Sequence, residues 1–200
     1  MNRKMFTGII QAVEPILSVM SAGECKRVRI QKPRGWKLAL GQSIAVDGVC
    51  STVIAQKPDF FEVEYMPETR TKTTVNTFAK GTRVNLDRPL TLKDSLDGSL
   101  VQGHVDARGI VCTVIQKGTS KIITIKIPSK LKKYIAPKGS IVISGVSLTV
   151  VTIQKNVLSV ALIPYTLSHT NLTLLKKGDS VNVEVDVLAR YVEKMMLDKR

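Results

Sequence analysis

The sequence has few of the residues from which several common kinds of site are built. Only 4% of its 200 residues are aromatic, which leaves little material for the stacking platforms that bind single-stranded nucleic acid. Two histidines, His104 and His169, are too few for a histidine-rich zinc site within one subunit. The chain has no Walker loop, no dinucleotide-binding glycine fingerprint and no metalloprotease helix motif. These absences favour a binding protein, or an enzyme that works by positioning and proton transfer with no cofactor and no metal.

Cysteines and long apolar runs are also scarce. The three cysteines, Cys25, Cys50 and Cys112, have the spacing of neither a disulfide framework nor a zinc site, and an odd number cannot all pair. This usage predicts a reduced, cytoplasmic protein. No stretch approaches the roughly 18 consecutive apolar residues of a membrane span, and the first residues lack the apolar core and cleavage site of a signal peptide. We therefore expect a cytoplasmic location and no membrane partner.

The chain does have an excess of positive charge and ample material for a core. Its 30 lysines and arginines outnumber 16 acidic residues, the formal net charge is +14, and 44% of the residues are hydrophobic. A basic surface can neutralise nucleic-acid phosphates, or it can be a background that keeps a protein soluble. Because the basic residues are spread along the chain and form no tract, we favour the second interpretation and expect no nucleic-acid partner.

The strongest pattern is an internal repeat. Residues 43–53, SIAVDGVCSTV, recur as residues 140–150, SIVISGVSLTV, at an offset of 97 positions that carries Gly48 to Gly145. The offset holds from residue 43 to residue 85 without an insertion or deletion. It also joins Pro67 to Pro164, Thr69 to Thr166, Thr73 to Thr170, Gly81 to Gly178 and Asn85 to Asn182. A unit of this length can close its own core, so the repeat indicates a duplicated domain and not a solenoid.

Each copy has the pattern of short strands separated by turns. Residues 43–46 and 51–54 flank Asp47-Gly48, a turn dipeptide, and residues 60–65 alternate with a period of two. Further strands are predicted at residues 81–86, 121–127 and 157–163. Several short strands at regular spacing favour an antiparallel barrel in each copy, because closure removes exposed edges.

The C-terminal residues follow a different period. In residues 187–196 the apolar side chains fall at positions 187, 188, 191, 192, 195 and 196, which is the stripe of an amphipathic helix. A lone terminal helix with such a stripe needs a surface to pack on. It can cover its own barrel or meet other copies of the chain, and we favour oligomerisation.

Six short motifs, in order, resemble those of one family. They are MFTGII at residues 5–10, DGVCSTV at 47–53, MPET at 66–69, LVQGHVD at 100–106, GVSLTV at 145–150 and IPYT at 163–166. Each is weak alone, but together they make the chain resemble the riboflavin synthases over nearly its whole length. The resemblance implies an all-β fold of two tandem six-stranded antiparallel Greek-key β-barrels with a C-terminal α-helix. It implies lumazine-binding barrels at residues 1–97 and 98–186, and an oligomerisation helix at 187–200.

The resemblance also implies a reaction. Riboflavin synthases transfer a four-carbon unit between two molecules of 6,7-dimethyl-8-ribityllumazine, which makes riboflavin and 5-amino-6-(ribitylamino)uracil in the last step of riboflavin biosynthesis. A transferase of this kind uses no cofactor. The resemblance further implies a homotrimer with sites between subunits, and lumazine synthase as a further partner. The alternative is a non-catalytic lumazine- or flavin-binding protein of the same fold. Two similar barrels suit a reaction between two identical molecules, although duplication can also serve only to enlarge the core.

In the N-terminal copy, the resemblance implies that Phe6, Thr7 and Gly8 bind substrate; otherwise they form an ordinary first strand. Cys50 is either a small buried hydrophobe or a catalytic thiol that supplies a nucleophile or relays a proton. His104 is either a structural histidine or a catalytic acid–base group, which suits a side chain that titrates near neutral pH. The other implied substrate-binding residues are Ser43, Val49, Thr69 and Gly103.

In the C-terminal copy, the resemblance implies catalytic hydroxyls at Ser147 and Thr149, which bind the pterin edge or assist removal of a proton from the C7 methyl group. Asp186 is implied to hold a nucleophile or water. Lys138 is either a basic group that stabilises an anionic lumazine or a solvated turn lysine. His169 has no counterpart in the family and is expected at the surface. The other implied substrate-binding residues are Ile163 and Thr166.

The chain departs from the family pattern in a few places. Residues 97–100 read DGSL where the family usually has GGHL, so Ser99 stands in place of a histidine. Ser144 replaces the usual aspartate before the second copy's glycine, while the first copy keeps Asp47, and Ser51 replaces a leucine. Residues 1–4 extend past the usual start. Because the implied catalytic set is otherwise complete, we expect an active enzyme.

Overall fold

The computed structural model describes residues 5–197, so the extension at residues 1–4 and the end of the predicted segment 187–200 lie outside the described residues. The strands of the first half are β1 (Ala12–Ala22), β2 (Cys25–Gln31), β3 (Ser43–Val46), β4 (Val49–Gln56), β5 (Phe60–Tyr65) and β6 (Arg83–Asp87). Those of the second half are β7 (Ala107–Lys117), β8 (Ser120–Lys126), β9 (Ser140–Ile143), β10 (Val146–Gln154), β11 (Val157–Leu162) and β12 (Ser180–Val185). The helices are α1 (Pro67–Lys72), α2 (Pro164–His169) and α3 (Val187–Leu197).

The strands close into two antiparallel barrels of the same design. The first barrel has the order β1-β2-β5-β4-β3-β6, and the second has the equivalent order β7-β8-β11-β10-β9-β12. Each barrel has its own apolar core, with side chains such as Val28 and Phe61 in the first and Ile125 and Leu158 in the second fully buried. Burial of such a side chain stabilises the fold by about 1.5–3 kcal/mol. The predicted fold, two six-stranded barrels followed by a helix, is confirmed.

Two long strands carry no clear signal in the sequence. In β1 the register with β2 shifts between Ile16 and Ser18, and in β7 the register with β8 shifts between Val111 and Thr113. Such a bulge adds a residue to one strand, so the alternation of inward and outward side chains breaks at that point. A search for period-two alternation therefore finds β5, β8 and β11 but misses β1 and β7.

The two barrels meet at equivalent hairpin turns. Asp47-Gly48 and Ser144-Gly145 have positive φ at both residues, as a two-residue hairpin requires. A Cβ added to Gly48 would lie 2.6 Å from the backbone nitrogen of Gly145, and the reverse distance is 2.7 Å, so only glycine fits at either position. The side chain of Asn182 donates to the Asp47 carbonyl oxygen at 2.8 Å, and that of Asn85, the equivalent residue of the first copy, donates to the Ser144 carbonyl oxygen. The interface thus repeats the symmetry of the sequence.

Helix α3 lies on the second barrel through few contacts. Val187 is buried, Arg190 pairs with Asp106 at 2.8 Å, and Lys133 pairs with Glu193. The apolar stripe is exposed in the single chain: Leu188, Tyr191, Val192, Met195 and Met196 are each more than half exposed. The helix therefore does not use its stripe to cover its own barrel. No helix among residues 5–197 is long and apolar enough to cross a membrane.

Candidate functional site

The β3–β4 hairpin builds the first group of predicted site residues. Ser43 and Cys50 lie on these paired strands, and the Ser43 hydroxyl hydrogen-bonds the Cys50 thiol. The Cys50 backbone N–H donates to the carbonyl oxygen of Gly103 at 2.8 Å. Gly103 has φ of +74°, and a Cβ there would lie 2.7 Å from the Cys50 Cβ. The structure thus brings Ser43, Cys50 and the segment that carries His104 together on the first barrel.

The Cys50 side chain is a neutral thiol at neutral pH. Burial raises its pKa above the ordinary value of 9.0, and the negative charge of Glu184 adds to this, against the lowering effect of the Ser43 hydrogen bond. A thiolate is the form that acts as a nucleophile. Of the two functional interpretations of Cys50, the environment in the single chain therefore favours a proton relay or hydrogen-bond donor.

The β9–β10 hairpin builds a second group in the equivalent place. The Ser147 backbone N–H donates to the Gly8 carbonyl oxygen at 2.9 Å, and a Cβ added to Gly8 would lie 2.7 Å from the Ser147 Cβ. The hydroxyls of Ser99 and Ser147 are 2.8 Å apart, and the Ser99 N–H donates to the Thr7 carbonyl oxygen at 3.0 Å. Ser99, which replaces the usual histidine of the family, thus lies directly in this group.

The start motif contacts both barrels. Thr7 and Gly8 precede the first barrel in the chain, and the Gly8 N–H donates to Asp87 of that barrel, but Gly8 also lies against Ser147 of the second. The Phe6 side chain is fully buried in a small cluster with Ala45, Val101 and Val142, between the barrels. The equivalent Gly103 precedes the second barrel and lies against the first. The two halves therefore exchange the segments that lead into them.

Most of the remaining predicted residues lie at the mouths of the barrels. Thr149 follows Ser147 on β10 and is exposed, as is Lys138, whose backbone N–H donates to Val150 at 2.8 Å. Ile163 is 57% exposed at the start of α2. Thr69 and Thr166 are partly buried at equivalent positions of α1 and α2. These residues leave an open face, as a pocket completed by another molecule would.

Two predicted residues have evident structural roles. The Val49 side chain is 4% exposed and packs in the core of the first barrel, which leaves only its backbone for a ligand. The Asp186 carboxylate accepts the Leu188 backbone N–H at 2.9 Å, so it caps the N-terminus of α3. His169 is exposed and stacks on Tyr165 with ring centroids 4.0 Å apart.

Two buried carboxylates beside these groups escape the sequence analysis. Glu184 accepts the backbone N–H groups of Gln102 at 2.9 Å and Gly103 at 3.0 Å, and Asp87 accepts that of Gly8 at 3.0 Å. Burial raises the pKa of each carboxyl to about 7, against the lowering effect of these hydrogen bonds. The repeat contains a signal for them, since the offset of 97 carries Asp87 to Glu184.

A cleft between the barrels lies apart from these residues. A cavity of about 660 Å³ opens between the barrels and is lined by equivalent residues of both, including Asp47, Ser144, Phe78 and Leu175. None of the predicted site residues lines it. Among residues 5–197, no three His, Cys, Asp or Glu side chains are grouped so that they could hold a metal ion. The chemistry available at the two hairpins is that of hydroxyls, one thiol, one histidine, backbone groups and the two buried carboxylates of Asp87 and Glu184.

Comparison with known proteins agrees with this division into two units. A family model described as Lumazine binding domain matches residues 7–89 and again residues 102–186. The riboflavin synthase of Photobacterium phosphoreum is 37% identical over 196 residues, which cover 96% of this chain and 89% of that protein. This chain belongs to the riboflavin synthase family. The riboflavin synthase of Bacillus subtilis (strain 168) is 34% identical over 193 residues, which cover 96% of this chain and 90% of that protein.

Solved structures related to the riboflavin synthase family show the same fold. LumP complexed with riboflavin has a TM-score of 0.83 at 28% identity, and LumP complexed with flavin mononucleotide has 0.82 at 26% identity. LumP complexed with 6,7-dimethyl-8-(1'-D-ribityl) lumazine has 0.82 at 24% identity, which shows the fold alone. Each comparison covers 90% of this chain and 99% of the other. The neighbours of this family member thus include both enzymes and a protein solved with flavin ligands.

Proposed function

We propose that this protein is a riboflavin synthase that dismutates 6,7-dimethyl-8-ribityllumazine. One molecule gives up a four-carbon unit and becomes 5-amino-6-(ribitylamino)uracil, while the other accepts the unit and becomes riboflavin. The atoms and electrons of two substrate molecules equal those of the two products, so the step needs no oxidant or reductant. Support comes from relatives named riboflavin synthase that are 34–38% identical over nearly the whole chain.

The observation that carries this proposal is the pair of equivalent hairpin sites. One has Cys50 beside the segment of Gly103, and the other has Ser147 beside the segment of Gly8. Equivalent sites can bind two copies of one compound, and their different side chains can give the two copies different roles. Holding two reactants in the right geometry can supply about 7–11 kcal/mol of a bimolecular barrier. A contribution of this size to the rate comes from the geometry of the two bound molecules and requires no additional reactant.

The side chains at the first site supply proton transfer. His104, next to the Gly103 peptide that rests on Cys50, acts as the acid–base group because histidine titrates near neutral pH. The neutral Cys50 thiol donates or relays a proton. Ser43, Val49, Thr69 and Gly103 bind substrate around them.

The side chains at the second site supply hydroxyls and charge. The hydrogen-bonded pair of Ser99 and Ser147 lies beside Thr149 on β10, where it can take part in removing the C7 methyl proton. Lys138 stabilises the lumazine anion that this leaves. Asp186 holds water or a nucleophile through the carboxylate oxygen that does not cap α3. Thr7, Gly8, Ile163 and Thr166 complete substrate binding, and the buried Phe6 supports Thr7 and Gly8 from between the barrels.

A second function is favoured by one specific observation. LumP structures with riboflavin and flavin mononucleotide are 28% and 26% identical to this chain and have the same fold, so a flavin carrier is the alternative. The two functions differ in the fate of the ligand. A carrier returns lumazine unchanged, whereas the enzyme converts it.

The test is turnover of the purified protein. The protein is incubated with 6,7-dimethyl-8-ribityllumazine in buffer that contains EDTA and no nucleotide. We expect it to convert the green-fluorescent substrate into yellow riboflavin, and chromatography measures the conversion. Heat-denatured protein is the control for uncatalysed conversion. Saturable binding of lumazine without riboflavin formation would contradict the enzyme and support the carrier.

The exposed stripe of α3 supports an assembly. We propose that three chains associate through α3, and that the open faces of a first and a second barrel close on each other between subunits. The protein acts in the cytoplasm, with lumazine synthase as the partner that supplies substrate. Sedimentation equilibrium tests the assembly: we expect three times the chain mass of 22.0 kDa, and a particle of one chain mass would contradict it.

A further inference from the structure

The segments that lead into the two barrels are equivalent and pair with each other. Phe6 donates its N–H to the Val101 carbonyl oxygen at 2.8 Å, and Val101 returns a bond at 3.1 Å. Each pairing residue lies two positions before a glycine with φ near +74°, Gly8 in one segment and Gly103 in the other. The two matches of the family model also begin at equivalent places, residues 7 and 102. We call residues 6–9 and 101–104 the crossing segments.

A buried carboxylate of its own barrel holds each crossing segment from one side. Glu184, which is 3% exposed on β12, accepts the N–H groups of Gln102 and Gly103, one on each carboxylate oxygen. Asp87, which is 2% exposed on β6, accepts the N–H of Gly8. Each carboxylate thus interacts with two successive peptides, since the backbone N–H of Thr7 also acts on Asp87.

The opposite barrel holds each crossing segment from the other side. The carbonyl of Gly103 accepts the Cys50 N–H at 2.8 Å, and that of Gly8 accepts the Ser147 N–H at 2.9 Å. Neither glycine has room for a side chain against its partner. Each peptide is therefore fixed between a carboxylate and a site residue, and His104 follows directly after one of these peptides.

We propose that Glu184 is a positioning residue, which holds the peptide of Gln102 and Gly103 so that His104 meets Cys50 in the pocket of the first barrel. Asp87 does the same for Thr7 and Gly8 opposite Ser147. The expected effect of Glu184 on turnover rests on the proposed function, but its expected effect on the reactivity of Cys50 does not. The charged groups that act on Glu184 are Arg190 of α3 and Asp106, which precedes β7.

The chemistry of the two hydrogen bonds explains why a carboxylate is needed. Two adjacent N–H groups require two acceptors, and the ionised carboxyl, which predominates at pH 8 above its pKa of about 7, presents a strong acceptor on both oxygens. A glutamine of the same length would turn an N–H against one of them and push that peptide away. Misplacement of a catalytic group by about 1 Å can slow turnover about 100-fold.

The experiment follows Cys50 as well as turnover. In a Cys25→Ser/Cys112→Ser background, Cys50 is the one thiol, and its alkylation by iodoacetamide is measured against pH. Glu184→Gln is expected to raise the alkylation rate at pH 8 about fivefold, because the segment loosens and the negative charge near the thiol is lost. It is also expected to lower kcat about 10- to 100-fold with little change in KM.

Two variants serve as matched controls. Asp87→Asn makes the same change in the other crossing segment, so it is expected to lower kcat while Cys50 alkylation stays at the parent rate. Glu62→Gln removes another buried carboxylate, paired with Arg29 on the first barrel, and is expected to leave both alkylation and kcat unchanged. Glu184→Asp keeps the negative charge but shortens the side chain, so it is expected to fall between parent and Glu184→Gln, and it takes the place of Glu184→Gln should that variant not fold.

The outcomes separate positioning from a purely structural role. The positioning role is overturned if Cys50 in the Glu184 variants is alkylated at the same rate as in Glu62→Gln. This holds if kcat is unchanged, and it also holds if kcat falls only in variants whose thermal unfolding midpoint falls too. A raised Cys50 rate in Glu184→Asp, which keeps the negative charge, together with parent rates in Asp87→Asn and Glu62→Gln, supports positioning. If the parent protein converts no lumazine but the Cys50 rate responds as expected, the proposed function fails and the positioning stands.

Discussion

The change of His104 to alanine is expected to lower kcat for lumazine dismutation by about 100- to 10,000-fold, the range that a positioned acid–base group contributes. His104 follows Gly103, whose N–H donates to Glu184 and whose carbonyl oxygen accepts the Cys50 N–H, so that the backbone there is fixed in place. Removal of the imidazole leaves these backbone contacts intact, so binding of lumazine should change far less than kcat. Steady-state kinetics and a fluorescence titration with lumazine measure the two quantities separately.

The other histidine of the chain is the matched control. His169 is exposed, stacks on Tyr165 and lies outside both hairpin sites, so His169→Ala is expected to keep the parent kcat. Ser99→Ala, which removes one hydroxyl of the pair with Ser147, is expected to slow turnover less than His104→Ala. Equal and negligible effects of His104→Ala and Ser99→Ala would show that the acid–base work is done by other groups.

The change of Asp47 to asparagine is expected to stabilise the protein at pH 8 by up to about 4 kcal/mol, and to have little effect near pH 4. Burial raises the pKa of the Asp47 carboxyl from 3.8 to about 7, against hydrogen bonds from Asn85 and Asn171 that lower it. The stability linked to this proton is therefore fully present below about pH 4 and is lost as the pH rises through 7. Each pKa unit corresponds to about 1.4 kcal/mol, and about three units separate the folded and unfolded values.

The asparagine should fit without loss of contacts. Both hydrogen bonds at Asp47, from the Asn85 N–H at 2.8 Å and from the Asn171 side chain at 2.9 Å, go to the same oxygen, which asparagine keeps. Asparagine also tolerates the positive φ of this position. Denaturant unfolding at pH 4 and pH 8 measures the effect, with the exposed Asp59→Asn as the control for net charge. If Asp47→Asn changed the free energy of unfolding equally at both pH values, the Asp47 carboxyl would not be protonated through burial in the folded protein.

The barrels could be predicted because their hairpins are local. The turn Asp47-Gly48 and the alternation of residues 60–65 are each contained within a few positions of the sequence. Strands β3, β4 and β5 form where these patterns indicate. The bulges at Ser18 and Thr113 break the same alternation, so β1 and β7 could not be found in this way. A period-two pattern marks the side chains on one face of a sheet. A bulge moves the following side chains of the strand to the opposite face, so the pattern is lost part-way along the strand.

The sites were only partly predictable, for two physical reasons. The crossing segments are related by an offset of 95 positions, from Gly8 to Gly103, so the search at 97 does not align them. Strands β6 and β12 are covered on both faces, by their own core and by the other barrel, and Asp87 and Glu184 are buried there. Polar residues in a strand usually indicate a solvent face, and only the packing of two barrels reverses that expectation.

The exchange of crossing segments bears on how one chain makes two different sites. Each hairpin site is assembled from both halves, so neither barrel alone holds a full set of the predicted residues. The first combines Cys50 with a segment that begins the second half, and the second combines Ser147 with a segment that begins the first half. The repeat thus supplies equivalent places, and Cys50 and Ser147 are the side chains that differ between them, as the proposed reaction of two identical molecules requires.

If two identical molecules react with each other, the amounts of substrate consumed and product formed have a fixed ratio. A known amount of 6,7-dimethyl-8-ribityllumazine is incubated with the protein to completion, and substrate and products are quantified by chromatography. We expect two lumazines to disappear for each riboflavin formed, together with the formation of one 5-amino-6-(ribitylamino)uracil. Full recovery of lumazine, or riboflavin without the uracil, would contradict this expectation.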